Sequence, residues 1–505
     1  MTKQKIDIKN VIFLTILFLI VICGCIIKTY IWLLHTDFYC DESYLLLNIM
    51  NRNYLGLFSS LDLQQCCPPI FLIIGKLVYS VFGVKERALC SISLSASILS
   101  FFLFTFASFK IFKNKFSILF ASLIFTFSHS FSLYGMFFKQ YVTDILFALI
   151  ILLIVLFIKD KKLSNIQMFF LSLFCIFCVF CSYTAGFLIF SYALFFIFKS
   201  FKEKTIKQNL KPFLIFIIPF ASVMVWFFFV NCLQTMNNKF LQLFWFDWEA
   251  RNQALSINID FFKNFIYFFT EENDYYFYIF SFLTACSSLF LWKKNKDLFY
   301  ILCSPFIFGF ILGFFKLYPF VPERVNLYLL PFFVLLSSYF FEIFSLPSIN
   351  KKSYCLKYSF GIIYICLVFY CLNISKNIYL SNLSNFDFSI FHNWDNNKIF
   401  IDTLSKTDIK NGDYIIGYGM PAAFDTYDIN NKFKENIRVE IWDFFDKRIT
   451  PKKGDYAFFW FYDNPKRTIW HTKKINKWIK NGNCRIIYQV DTFYGTLTKC
   501  EITSE

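Results

Sequence analysis

Three short stretches of the chain hold residues able to do chemistry. The first, YCDESYLLLNIMNRNYLGLF (39–58), follows an apolar run and opens with two adjacent carboxylates, Asp41 and Glu42. The second, MFFKQYVTDILFAL (136–149), sets Lys139 and Asp144 where one apolar run gives way to the next. Gln140 and Asp144 are four apart there and share a helical face. A helix N-terminus beside a lysine is a ready phosphate site. The same residues also read as a snorkelling lysine and an aspartate complementing the helix dipole. The third, LYPFVPERVNLYLLP (317–331), places Arg324 at the mouth of an apolar run, with Pro319, Pro322 and Pro331 stiffening the approach. Arginine suits bidentate contact with phosphate, and it equally serves as an interfacial anchor paired with Glu323. Asp41–Glu42, taken alone, also fits a solvated loop or a helix cap.

The elements that must position these residues are membrane helices. The 505 residues are 57% hydrophobic, 23% aromatic and only 17% charged, against about 25% charged in an ordinary soluble protein. Apolar runs of spanning length recur, approximately at 11–34, 88–109, 116–135, 141–158, 166–182, 186–198, 212–231, 275–292, 298–317, 325–345 and 358–374, about eleven in all. The first is too long for a signal-peptide core and lacks a small-residue cleavage site. The net charge of +16 does not mark a nucleic-acid binder. Lysine clusters such as Lys110/Lys113/Lys115, Lys159/Lys161/Lys162 and Lys293/Lys294/Lys296 each follow an even number of spans, on the side of Lys3, Lys5 and Lys9. The positive-inside rule makes that side cytoplasmic and puts the last segment outside.

Region 35–87 is then an outer loop. It carries the acidic pair, an amphipathic piece, and an apolar run (70–82) too short to span, which reads as an interfacial or partly re-entrant helix starting at Pro68–Pro69. A second outer region, about 231–275, holds LQLFWFDWEARNQ, whose aromatics suit the interface. Past residue 380 the character changes. NGDYIIGYG, GDYAFFWFYD and CRIIYQV read as strands, and KRTIWHTKKINKWIKNG as a helix, which predicts a small α/β domain over 380–505 beside a membrane module over 1–375. A turn centred near Thr492 would set Cys484 and Cys500 opposite each other, within disulfide reach. The other cysteines lie mostly in apolar runs and read as small hydrophobes. His35, His129, His392 and His471 make no ligand cluster, so the sequence calls for no metal or cofactor.

Transporters keep ionisable groups near mid-membrane. Here mid-span charge is nearly absent: Lys28 and Lys316 lie near outer ends, where they can snorkel, and Glu342 near an inner end. Asp41, Glu42, Lys139, Asp144, Glu323 and Arg324 gather on the outer side instead, which favours interfacial chemistry over passage.

DESYLLLNIM, then QQCCPPIFLIIGKLVYSVFG and ERAL, resembles the polyprenol-phosphate-dependent GT-C glycosyltransferases, among them the family 39 protein O-mannosyltransferases and the bacterial aminoarabinose and Rgt-type transferases. FKQYVTD, LFWFDW and YPFVPERVNLYLLP resemble motifs of a bacterial, Rgt-type subgroup at the same topological places. The chain departs from the pattern at Cys67, where the residue before the proline pair is often lysine, and at Cys90, where an arginine is expected. The resemblance implies transfer of a sugar from a polyprenyl-phosphate donor to an extracytoplasmic glycan, lipid or protein acceptor, with inversion, by a multi-pass protein of a bacterial cell or inner membrane among membrane lipids. On that footing Asp41 is the expected general base, with Glu42 as second choice or support. Lys139 and Arg324 would hold the donor phosphate, with Gln140, Tyr141 and Asp144 supporting. The competing expectations are a lipid or polysaccharide transporter and a membrane-anchored binding protein acting through its outer domain.

Overall fold

The computed structural model describes residues 8–34, 38, 40–238, 263, 266, 268–269, 274–321, 324–343, 401, 403–410, 412–417, 436–440, 455–462, 484–492 and 495–503. The chain forms two compact units: Met1–His35 with Arg52–Ser375, and Thr36–Asn51 with Lys376–Glu505.

The first unit is helical. Its helices are α1 (Ile8–Leu34), α3 (Pro69–Phe82), α4 (Glu86–Ile111), α5 (Lys115–Phe127), α6 (His129–Tyr134), α7 (Tyr141–Ile158), α8 (Asn165–Cys181), α9 (Tyr183–Lys202), α10 (Ile206–Phe227), α11 (Asp274–Lys294), α12 (Lys296–Phe314) and α13 (Leu330–Ile343); α2 (Cys40–Asn51) belongs to the second unit. Among the described residues seven helical stretches are long and apolar enough to cross a membrane: Ile8–Leu33, Glu86–Ile111, Tyr141–Ile158, Tyr183–Lys202, Ile206–Met236, Lys296–Phe314 and Arg324–Ile343. The protein is thus a polytopic helical membrane protein. The expected span 358–374 lies outside the described residues, as do LQLFWFDWEARNQ, Glu323 and the helix expected at 466–482.

Local chemistry explains the boundaries. Pro69 opens α3 at its first position, where its missing N–H costs nothing, and Gly83 at φ 69° closes it. The run 116–135, expected as one span, breaks at Ser128, whose hydroxyl accepts from the Phe131 N–H and starts α6. The run 186–198 extends to Tyr183–Lys202, because Lys199 finds the Lys159 carbonyl and the carboxylates of Asp160 and Asp297. Gly313 permits a close return of the chain, since a Cβ there would lie 2.5 Å from that of Phe320. Lys28 does not snorkel: it is buried, its ammonium 3.6 Å from the Phe131 ring centroid and without a hydrogen-bond acceptor among the described residues.

The core of this unit is built on α7 and α13. Every residue from Leu330 to Glu342 is buried, and on α7 so are Tyr141–Ile145, Phe147–Leu149, Ile151–Leu153 and Val155. A 3-10 stretch, Arg324–Leu329, leads into α13 and packs on α7. Residues at the starts of these two elements are therefore held by the most deeply packed parts of the bundle.

In the second unit, strands β1 (Tyr414–Gly417), β2 (Ile437–Glu440), β3 (Tyr456–Tyr462), β4 (Cys484–Thr492) and β5 (Gly495–Ile502) form one sheet in the order β2-β1-β3-β5-β4. β1 pairs in parallel with β2 and β3, and β5 antiparallel with β3 and β4. Consecutive residues of the inner strands are buried (Tyr414–Ile416, Ala457–Phe459, Leu497–Cys500), as expected of strands covered on both faces. The β4–β5 hairpin forms, but Cys484 and Cys500 do not take the directly opposed positions that a turn centred near Thr492 would give them. The tight end pairs Thr492 with Gly495, beyond the centre the bridge requires, so Cys484 faces Ile502 and Cys500 faces Ile486. Cys500 is buried.

Candidate functional site

The expected residues divide between the two units. Asp41 and Glu42 occupy the first turn of α2, in the second unit, where carboxylates complement the helix dipole. Glu42 is wholly buried and Asp41 partly exposed. Leu45–Ile49 behind them are buried, which fixes the helix that presents the pair.

Lys139, Gln140, Tyr141, Asp144 and Arg324 lie together in the first unit. Tyr141 links the two core elements: the Arg324 guanidinium carbon stands 5.5 Å from its ring centroid, and Tyr134 packs edge-on against it at 5.6 Å. Lys139 is buried and donates from Nζ to Gln65 Oε1 at 2.6 Å. The Gln65 amide is itself held, its Nε2 donating to the Leu63 carbonyl at 3.2 Å. The Gln140 Nε2 donates to the Cys66 carbonyl at 3.1 Å. The Asp144 carboxylate is taken by the Ser182 hydroxyl at 2.6 Å, and Ser182 in turn lies 3.0 Å from Thr184 Oγ1. Asp144 therefore ties α7 to the start of α9.

The loop that receives Lys139 lies within the outer region 35–87 and includes the QQCC stretch before Pro68. It runs from Phe58 to Cys67 and contains two consecutive left-handed residues, Leu63 (φ 55°) and Gln64 (φ 58°). For non-glycine residues that conformation costs about 1–2 kcal/mol each, so neighbours must enforce it. Arg52 supplies part of the frame, donating to the Gly56 and Ser60 carbonyls and pairing with Asp62 at 2.8 Å. Tyr183 donates to the Cys67 carbonyl at 2.9 Å, Asn231 Nδ2 to the Phe58 carbonyl at 3.1 Å, and Ser60 to Gln234 Oε1 at 2.5 Å. The available signal was Asn231, a polar residue closing an apolar run. Burial pushes the Cys67 thiol well above its ordinary pKa, with nearby Lys139 opposing, so this cysteine stays protonated and packs. Among the described residues no group of three or more His, Cys, Asp or Glu side chains is placed to hold a metal ion.

No protein-family model matches the sequence, and no curated protein matches it either. Solved structures do. ArnT from Cupriavidus metallidurans bound to undecaprenyl phosphate superposes with a TM-score of 0.51 at 10% identity, over 98% of this chain and 98% of that one. The apo state of the same protein gives 0.50 at 10% identity, over 95% and 97%. Sequence identity this low speaks for architecture, and the architecture agrees along nearly the whole of both chains. The chain has the fold of these structures, the GT-C architecture.

Proposed function

We propose that the protein is a membrane glycosyltransferase that moves a sugar from a polyprenyl-phosphate donor to an acceptor on the extracytoplasmic side, as in the Rgt-type subgroup its motifs resemble. The observation that carries this reading is the full-length GT-C fold shared with a protein whose structure holds undecaprenyl phosphate, combined with Lys139 and Arg324 at the starts of the two core elements of the bundle.

The chemistry assigns each residue a part. The acceptor hydroxyl gives its proton to the Asp41 carboxylate as its oxygen attacks the anomeric carbon. The bond from that carbon to the phosphate oxygen breaks, the polyprenyl phosphate leaves with the electron pair, and a single displacement inverts the anomeric centre. Asp41 is preferred to Glu42 because it is partly exposed, whereas a wholly buried carboxylate has no access to an incoming hydroxyl. Lys139 and Arg324 stabilise the phosphate as its charge grows, and Tyr141 supports Arg324 through its ring. The family's lysine before the proline pair is absent here, Cys67 standing in its place. Lys139 brings an ammonium to that same loop from the approach to α7. In this reading the lysine-rich loops face the cytoplasm, the acidic pair and the sheet lie outside in a bacterial envelope, and acceptors are glycans, lipids or proteins.

The test is binding of undecaprenyl phosphate to the full-length protein in nanodiscs. Affinity that falls roughly 10²-fold in Lys139→Met and in Arg324→Met supports the assignment. Native affinity in both variants removes it.

A further inference from the structure

Near its end, α10 changes character. Most of the helix presents apolar residues outward (Leu214, Ile218, Val225, Trp226 exposed), but at Phe228–Cys232 it opens into a π turn before continuing to Met236. π turns recur at functional sites because the widened turn redirects side chains. Here the turn carries Asn231, which is buried, and Gln234 follows one turn on.

The Asn231 amide faces both ends of the loop's frame. Nδ2 donates to the Phe58 carbonyl at 3.1 Å, and Oδ1 lies 3.4 Å from the Tyr183 hydroxyl, which donates to the Cys67 carbonyl at 2.9 Å. One side chain thus braces the first residue of the Phe58–Cys67 loop directly and the last through Tyr183. Between these points lie the left-handed Leu63–Gln64 pair and Gln65, the acceptor for Lys139. A general scaffold would be satisfied by apolar packing. This one uses a buried amide and a phenol to fix main-chain carbonyls either side of a strained segment.

We propose that Asn231 and Tyr183 are positioning residues for the phosphate site: they hold the Phe58–Cys67 loop so that Gln65 sets the direction of the Lys139 ammonium. The proposal rests on Lys139 being a donor-phosphate ligand. It adds a specific route, from the π turn through Tyr183 and the loop to Gln65, by which residues that never touch the lipid control its affinity.

The experiment uses the full-length protein in nanodiscs, with undecaprenyl phosphate as probe. Tyr183→Phe removes one oxygen and keeps the ring; Asn231→Ala removes the whole brace. Two quantities are read: hydrogen exchange of amides 58–67 by mass spectrometry, and affinity for the probe. Losing one or two buried hydrogen bonds predicts faster exchange in the loop and affinity weaker by roughly tenfold. In a Gln65→Ala background Tyr183→Phe then weakens binding no further, because the route is already cut. Unchanged exchange, native affinity despite faster exchange, or an equal extra loss in the Gln65→Ala background each overturns the proposal. Should Asn231→Ala fail to fold, Tyr183→Phe alone decides. Native affinity in Lys139→Met overturns the phosphate reading and this role with it, whereas native affinity in Tyr183→Phe alone overturns only the positioning role.

Discussion

At the end of the bundle that carries the lysine-rich loops, polar groups meet in pairs that close helix ends. Glu342 accepts from the backbone N–H groups of Lys113 and Asn114 at 3.0 and 2.9 Å and so caps α5 from α13. Lys199 joins α9 to Asp297 on α12 at 2.9 Å, and Ser164 with Gln167 forms a capping box for α8. At the other end, Lys139, Gln140, Tyr183, Asn231 and Gln234 converge on one ten-residue loop, Phe58–Cys67, that includes two residues in a costly conformation. The first end spends its polar groups on satisfying helix termini, which any bundle requires. The second spends them on holding a particular loop shape, and stability alone does not call for that.

The comparison can be broken by substitution. Lys139→Met should lower transfer from a polyprenyl-phosphate sugar by roughly 10²–10³-fold while leaving the melting temperature close to native; a large loss of stability with native turnover would make this end structural as well. Glu342→Ala should do the reverse. It strands two backbone donors and costs about 2–4 kcal/mol, seen as a lower melting temperature with undecaprenyl phosphate affinity unchanged. Ser182→Ala falls between, since the Asp144 carboxylate loses its 2.6 Å donor, and about 1–2 kcal/mol of stability should go. Lys199→Ala is the smallest. Its partner Asp297 is partly exposed, and the melting temperature should reflect no more than about 1 kcal/mol.

Legibility in the sequence followed the same divide. Helices were readable because apolar length is a local property: 141–158 was expected and Tyr141–Ile158 is found. The strand-like runs around Ile415, Phe458 and Ile486 were readable from their bounding Gly, Asp and Asn residues. Ends were less so where a distant partner sets them, as Asp297 does for α9. The expected opposition of Cys484 and Cys500 failed on register, since a turn displaced by a residue or two shifts partners that composition alone cannot align. Lys139, Tyr141 and Arg324 were found as residues, and the meeting of Tyr141 with Arg324 followed from the adjacency of α7 and the 3-10 stretch before α13. Asn231 and Tyr183 were missed because their partners lie 173 and 116 positions away. A single sequence has no local signal for such a contact.

The most direct test of the account is sugar transfer from a panel of polyprenyl-phosphate sugars, comparing the native protein with Asp41→Asn and measuring donor affinity alongside. With Asp41 as the base, the native protein turns over, the variant falls by roughly 10²–10⁴-fold, and donor affinity stays near native. Full turnover in Asp41→Asn would contradict the assignment of the base, and a native protein that binds none of the donors would contradict the glycosyltransferase reading itself.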